Sequence, residues 1–278
     1  MDRFGPAILV EAGSGRILVD AGRGAIQRLF QVGGAELVRG IDLVLLTHLH
    51  SDHVVGLPDL WLTGWVMGRD HRLPVRGPAG TRDLMENLAR AFAFDIRMRR
   101  DLDERFPPEG IATDARDVAP GVVFEKDGLK VTAFEVDHAV VKPAYGYRLD
   151  YAGRSAVVSG DTRPSEALVA AAKGVDVLVH EVIAPDVERS RAAVRDPVRV
   201  QRIIDHHTTP EDAGRVFARV APRLAVYSHI VPSPATEADL VAPTRKTYAG
   251  PLAVGYDLMQ VTIGETVTVS RRETPPDR

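Results

Sequence analysis

The sequence has no cysteine among its 278 residues. This absence excludes disulfides, thiolate zinc sites and a cysteine nucleophile. Any metal site must therefore be built from histidine, aspartate and glutamate. The nine histidines are the main candidate ligands for a borderline cation such as zinc.

Long apolar runs and an excess of basic residues are also missing. No run approaches the roughly 20 apolar residues that a membrane helix needs, so we expect no membrane partner. We expect a cytoplasmic location for the sequence as written, or a periplasmic one if a leader has been removed. Lys and Arg number 35 against 38 Asp and Glu, a net charge of -3. No overall basic field is therefore available to hold a nucleic-acid backbone.

Strand and helix patterns alternate along a chain long enough for one sizeable domain, so residues 1–278 are predicted to form a single domain. Strands are predicted over residues 7–10, 16–19, 41–46, 122–126, 129–136, 145–151, 155–159, 175–179 and 224–228, and helices over 25–32, 58–67, 81–93, 164–172 and 210–220. Strands followed by helices in each half predict an α/β fold, an αββα four-layer sandwich of two mixed β-sheets with outer helices. Residues 94–120 are charged and contain paired prolines, which predicts an irregular loop.

The densest group of potential metal ligands follows the apolar strand predicted over residues 41–46. His48, His50, Asp52 and His53 lie within six positions. The two-residue period of a strand places His48 and His50 on the same side. Imidazole and carboxylate groups suit Zn²⁺, and one such cluster can supply two adjacent ions.

Three more candidate ligands, His138, Asp161 and His229, each follow a predicted strand. Their common position at strand ends lets them converge on one edge of the sandwich. Taken singly, each could equally be a structural or solvated residue.

The whole set resembles the ligand pattern of the metallo-β-lactamase fold hydrolases, over nearly the full chain. The motif is His-x-His-x-Asp-His at residues 48–53, then His138, Asp161 in a Ser-Gly-Asp-Thr turn, and His229. The resemblance implies that His48, His50 and His138 hold one metal, that Asp52, His53 and His229 hold the second, and that Asp161 bridges them. It also implies two Zn²⁺ per chain, with Mn²⁺ or Fe as alternatives, and a homodimer.

Two further motifs resemble the ribonuclease Z and arylsulfatase-like members of that family. They are the His-Glu pair at residues 180–181 and the His-His-Thr segment at residues 206–208. The resemblance implies that His207 assists the leaving group and that Glu181 orients His207. Asp20-x-Gly22-x-Gly24 is similar to the first glycine motif of the branch. Residues 73–136 lack the long Gly/Lys-rich arm with which ribonuclease Z clamps tRNA.

These residues together predict a dinuclear zinc hydrolase for a small phosphodiester, sulfate ester or similarly activated aryl substrate. Two divalent ions lower the pKa of a bridging water to about 7, which gives a hydroxide nucleophile that Asp52 would aim. The missing arm and the net charge of -3 argue against a nucleic-acid substrate. Two alternatives stay open: a tRNA 3′-end processing endonuclease of the ribonuclease Z type, and a metal-bound binding module with little turnover.

Some residues carry weaker predictions. Trp61 and Trp65 lie one helical turn apart, a spacing more typical of a core stripe than of an aromatic pocket. His180 either orients a metal ligand or lies in the core. His206 is predicted at the surface, and Arg163 either meets an anionic ester or forms a salt bridge.

Overall fold

The computed structural model describes residues 3–191, 194–232 and 234–272. The chain forms two compact units, each with its own sheet and core: unit 1 comprises Met1–Val118 with Arg271–Arg278, and unit 2 comprises Ala119–Ser270. Within the described ranges, no helix has the length and apolar character needed to cross a membrane.

Unit 1 is built on a five-stranded sheet. Its strands are β1 (Ile8–Ala12), β2 (Gly15–Val19), β3 (Leu43–Leu45), β4 (Leu73–Gly77) and β5 (Thr113–Asp117), in that spatial order. The β1–β2 pair is antiparallel and the other neighbours are parallel. Its helices are α1 (Ala25–Arg39), α2 (Ser51–Val54), α3 (Leu57–Val66), α4 (Thr81–Ala91), α5 (Ala93–Arg97), a π-helical turn (Met98–Leu102) and α6 (Pro108–Ile111).

The central strand of unit 1, β3, lies buried in the core of that unit. All three residues of β3 are fully buried, as expected for a parallel strand covered on both faces. Trp61 and Trp65 of α3 are each 1% exposed. Their indole nitrogens donate hydrogen bonds to the carbonyl oxygens of Ile111 (2.8 Å) and Pro107 (2.9 Å). The tryptophan pair is therefore part of the core, as its spacing predicts.

Unit 2 is built on a seven-stranded mixed sheet. Its strands are β6 (Gly121–Lys126), β7 (Leu129–Glu135), β8 (Tyr145–Tyr151), β9 (Arg154–Val158), β10 (Val177–Ile183), β11 (Leu224–Val231) and β12 (Leu252–Val254), and β13 (Met259–Ile263) pairs with β14 (Val267–Arg271) apart from them. Pairing is antiparallel from β6 to β9 and parallel from β9 to β12. Its helices are α7 (Glu166–Ala171), α8 (Pro185–Ser190), α9 (Pro197–Asp205), α10 (Pro210–Val220) and α11 (Glu237–Thr244).

The predicted α/β class with two mixed sheets is confirmed, whereas the irregular loop over residues 94–120 is wrong. That stretch contains α5, the π-helical turn, α6 and the edge strand β5. These elements escape pattern analysis because each is five residues or shorter and buries little: α5 and α6 together bury only Ile96, Gly110 and Ile111. An edge strand pairs on one side only, so β5 folds with a largely polar sequence.

We predict that Gly110→Ala destabilises unit 1. A Cβ at this position would collide with the carbonyl oxygen of Arg69 and lie 2.6 Å from Cδ1 of Trp65. Overpacking of this kind costs about 1–3 kcal/mol, measurable as a lower urea midpoint. Gly264→Ala is the matched control, because its Cβ would approach nothing closer than the Thr266 carbonyl oxygen at 3.5 Å. Equal midpoints for the two variants would contradict this packing.

Candidate active site

Three histidines cluster just after β3 in unit 1. The chain leaves the buried strand at Thr47, and α2 begins at Ser51. Nε2 of His48 lies 3.0 Å from Nδ1 of His50, and the rings of His48 and His53 have centroids 4.1 Å apart. His48 and His53 are buried, whereas the side chain of Asp52 is 56% exposed and reaches within 3.8 Å of Nε2 of His53. All four ligand candidates of this motif are thus neighbours within one unit.

The buried carboxylate of Asp20 fixes which nitrogen each ring presents. It accepts hydrogen bonds from the Thr47 backbone N–H, the Thr47 hydroxyl and Nδ1 of His53, each at 2.8 Å. An ionised carboxylate only accepts, so His53 donates from Nδ1 and carries its lone pair on Nε2. The Thr47 hydroxyl, already donating to Asp20, accepts from Nδ1 of His48 at 3.1 Å. His48 therefore also carries its lone pair on Nε2.

Asp20 and Thr47 are functional candidates that motif analysis of the sequence missed. In the sequence, Asp20 is assigned only as the first residue of a glycine motif, and Thr47 is assigned no role. The available signal was weak: Asp20 directly follows β2 and adopts φ = 60°, a left-handed conformation that Asp tolerates better than most residues. A polar residue at the end of a buried strand next to a ligand motif could have marked both.

A second group of ligand candidates lies in unit 2. Ligand atoms of Asp161, His207 and His229 lie within 4.8 Å of one another. Asp161 Oδ1 is 3.2 Å from Nδ1 of His229, and Asp161 Oδ2 is 4.0 Å from Nδ1 of His207. The rings of His207 and His229 are stacked with centroids 5.8 Å apart. Asp161 and His229, predicted from separate strand ends, thus come together.

Glu181 on β10 holds His207 in place. Its carboxylate is 2% exposed and accepts from the backbone N–H of Thr208 at 2.8 Å and of Thr162 at 3.4 Å. Nδ1 of His207 donates to it at 3.1 Å, so Nε2 of His207 is the nitrogen that can exchange a proton with a substrate. The contact expected between Glu181 and His207 is present.

His138 joins the same cluster through its neighbours in unit 2. Its ring packs edge-on against His206 at 4.9 Å and lies 5.4 Å from His207. Nδ1 donates to the carbonyl oxygen of His206 at 2.9 Å, which leaves Nε2 with the lone pair. Burial lowers the pKa of His138 to about 4. His138 is therefore neutral at pH 7, the form that can ligate a metal.

The donor chemistry of each unit fits a divalent ion. Unit 1 offers neutral imidazole nitrogens and one carboxylate, and unit 2 offers His138, His229 and Asp161. Zn²⁺ accepts such N and O donors. The hydrogen bonds that orient the rings of His48, His53 and His138 come from a hydroxyl, a carboxylate and a backbone carbonyl, as is usual for metal-ligating histidines.

His180 lies in the core, where its ring packs edge-on against Phe217 with centroids 5.7 Å apart, and its Nδ1 donates to the Glu181 carbonyl oxygen at 2.6 Å. This Nδ1 contact is to the backbone of the next residue and not to a metal-ligand candidate. His206, predicted at the surface, is half-buried, and its ring contacts His138 and His207. Arg163 forms a salt bridge with Asp137 at 2.6 Å.

A family model agrees with this architecture. Residues 15–230 match the β-lactamase superfamily domain. The chain therefore belongs to that superfamily of metal-dependent hydrolases and has the metallo-β-lactamase fold.

Curated relatives specify the branch. Ribonuclease Z of Mycobacterium avium (strain 104) is 38% identical over 270 residues, 94% of this chain and 93% of the relative. Ribonuclease Z of Mycobacterium bovis (strain BCG / Pasteur 1173P2) is 36% identical with the same coverage. Similarity of this extent puts the chain in the ribonuclease Z branch of the superfamily.

Solved structures share the fold at lower identity. The metallo-β-lactamase fold protein YhfI from Bacillus subtilis is 18% identical, with a TM-score of 0.69 over 92% of this chain and 91% of that one. The short form of human tRNase Z is also 18% identical, with a TM-score of 0.65 and the same coverage.

These relatives correct the argument against a nucleic-acid substrate. The alignment covers 93% of two proteins named ribonuclease Z, so this chain matches both of them almost end to end. A net charge of -3 describes the whole chain and does not exclude a local basic surface. The alternative of a ribonuclease Z-type activity is accordingly favoured over a small ester substrate.

We predict that Asp20→Asn weakens zinc binding. The amide cannot accept all three hydrogen bonds of the carboxylate, so the ring of His53 loses its fixed orientation. Loss of such an orienting partner typically costs about 10–100-fold in metal affinity, measurable by competition with a chromophoric chelator. Asp42→Asn is the control, because Asp42 also accepts a backbone N–H (Arg16, 2.8 Å) but precedes β3 instead of following it. Wild-type zinc affinity in Asp20→Asn would show that Asp20 does not orient a ligand.

We also predict that His180 makes the protein less stable in mild acid. Burial lowers the pKa of His180 in the folded state, whereas the unfolded chain has a pKa of about 6.5. As pH falls below about 6.5, the unfolded state binds a proton that the folded state does not, and the free energy of unfolding decreases. His180→Gln should reduce this pH slope by up to about 1.4 kcal/mol per pH unit in urea unfolding between pH 7.5 and 5. Identical slopes for the two proteins would contradict the prediction.

Proposed function

We propose that this protein is a dinuclear metal-dependent phosphodiesterase that cleaves RNA, an endonuclease of the ribonuclease Z type acting on the 3′ ends of precursor tRNA. The observation that carries the proposal is the 38% identity to a ribonuclease Z over 94% of this chain and 93% of the relative. The Glu181–His207 pair supports it, because an RNA ester has a poor leaving group that needs a proton donor.

The proposed metal ligands are the seven residues of the motif. His48, His50 and His138 would hold one ion. Asp52, His53 and His229 would hold the other, and Asp161 would ligate both ions. Ring orientation in unit 1 and the Asp161–His229 contact in unit 2 support this assignment. Zn²⁺ is our choice of metal, and Mn²⁺ or Fe fit the same donors.

When bound, two divalent ions lower the pKa of a shared water and offset negative charge on the phosphate oxygens. The residues of the chain supply the rest. Asp52, with an exposed carboxylate beside His53, would accept a proton from the attacking water and orient it. His207 would donate a proton from Nε2 to the departing oxygen. Glu181 would keep the ring of His207 aimed and stabilise its imidazolium form.

A small activated ester remains the second candidate, and a binding module with little turnover the third. The net charge of -3 is the observation that favours the small ester, because such a substrate needs no extended basic surface. The leaving group separates the two enzymatic candidates: nitrophenolate departs without a proton, whereas a ribose oxygen does not.

We predict that His207→Asn slows precursor-tRNA cleavage by about 10²–10⁴-fold, the usual contribution of a general acid. Hydrolysis of bis(p-nitrophenyl) phosphate should fall far less, because its leaving group needs no proton. Both rates can be followed with the same metal-loaded preparation. His71→Asn is the control, since His71 is exposed and pairs with Asp70.

Three other outcomes would change the assignment. Equal losses on both substrates would show that His207 is not the proton donor. Turnover of the nitrophenyl diester without any cleavage of precursor tRNA would favour the small-ester candidate. No turnover of either substrate, with metal bound, would favour the binding module.

A further inference from the structure

Helix α9 in unit 2 exposes two arginines, Arg199 and Arg202. Within the described part of the chain, neither guanidinium forms an ion pair or hydrogen bond. The preceding arginines of the same segment differ. Arg191 and Arg195 both pair with the buried Glu188, at 3.3 and 3.4 Å. The guanidinium groups of Arg199 and Arg202 are therefore exposed and available to a ligand.

The burial pattern of α9 explains this exposure. Val200 and Ile204 face inward and form a small core cluster with Ile183 of β10. Residues three apart on a helix are surface neighbours, so Arg199 and Arg202 share the face that points away from this cluster. The acidic Asp205 near the end of the helix accepts a hydrogen bond from Gln201 at 2.7 Å. Asp196 precedes Arg199 by three residues and Asp205 follows Arg202 by three, so the exposed arginine pair lies between two carboxylates on this face.

The helix that carries this face leads directly into the segment of the proposed proton donor. Helix α9 ends at Asp205, and His206 and His207 follow directly. Arg202 is one helical turn before His206, a rise of about 6 Å along the helix axis. A substrate with a single phosphate at His207 has no second phosphate that could contact the two arginines. A polymer has further phosphates on either side of the cleaved one, and these can reach the arginine face.

We propose that the Arg199–Arg202 face of α9 binds the phosphate backbone of the RNA substrate next to the cleaved phosphate. The inference rests on the proposed function, which supplies the RNA. Guanidinium groups bind phosphate through paired N–H donors, and such contacts position a nucleic acid without reading its sequence. A local face of this kind allows a chain of net charge -3 to bind a polyanion without a long basic arm.

The test is the double variant Arg199→Gln/Arg202→Gln, with fluorescently labelled mature tRNA as the probe because it has no trailer to be cut. Fluorescence anisotropy at several salt concentrations gives the affinity and its salt dependence. Loss of two phosphate contacts should make the slope of log K against log salt less negative by about 1.5–2. The affinity at low salt should fall at least tenfold. Hydrolysis of bis(p-nitrophenyl) phosphate should be unchanged.

Lys126→Gln/Lys130→Gln is the matched control. It removes the same two charges from exposed positions at the β6–β7 hairpin, the end of β7 remote from His138. Its tRNA affinity and salt slope should stay near wild type. Thermal unfolding checks that each variant folds, and the two single arginine variants replace the double if it does not.

Equal tRNA affinity and slope in the arginine variant and the wild type would overturn the inference. An equal loss in the lysine pair would also overturn it, since the effect would then be one of overall charge. Failure of the proposed function would give a different set of results from failure of the α9 inference. Wild-type protein that binds tRNA through α9 but does not cut a precursor contradicts the cleavage proposal alone. Cleavage with an unchanged KM in the arginine variant contradicts the α9 inference alone.

Discussion

A buried carboxylate must receive hydrogen bonds in place of the water it has lost, and this constraint shapes both groups of histidines. Asp20 in unit 1 and Glu181 in unit 2 are each nearly inaccessible to solvent. Each accepts from at least one backbone N–H group and from Nδ1 of one histidine. Because the carboxylate can only accept, it fixes the ring nitrogen that donates, and the opposite nitrogen is left to do chemistry.

The sheets supply the geometry that makes these contacts possible. Asp20 and Thr47 follow the parallel strands β2 and β3, whose carboxyl ends meet at one edge. Thr162, Glu181 and His229 lie after or within β9, β10 and β11, which are also parallel neighbours. Residues distant in sequence therefore meet because their strands end at the same edge. Ligands in open α/β sheets are commonly found at such edges.

The sequence predicted β3, β7 and β11 together with the ligand motif, because these strands have strong apolar patterns. His48 and His138 follow β3 and β7, and His229 lies near the end of β11. The sequence did not predict Asp20 as the partner of His53, because that contact depends on the pairing of β2 with β3. It did not predict the contacts of His206, which depend on where α9 ends. Residues 94–120 form short elements with few buried residues, so the sequence pattern was too weak to predict them. The net charge of -3 is a sum over the chain, so it does not describe the charge of any one surface.

The central claim is that this chain cuts RNA with the help of metal ions. The most direct measurement incubates the purified protein with a precursor tRNA carrying a 3′ trailer, with and without a chelator, and maps the product ends. The account predicts one cut on the 3′ side of the tRNA, abolished by the chelator and restored by added Zn²⁺ or Mn²⁺. An intact precursor under conditions where a nitrophenyl diester is hydrolysed, or a cut that the chelator does not affect, would contradict it.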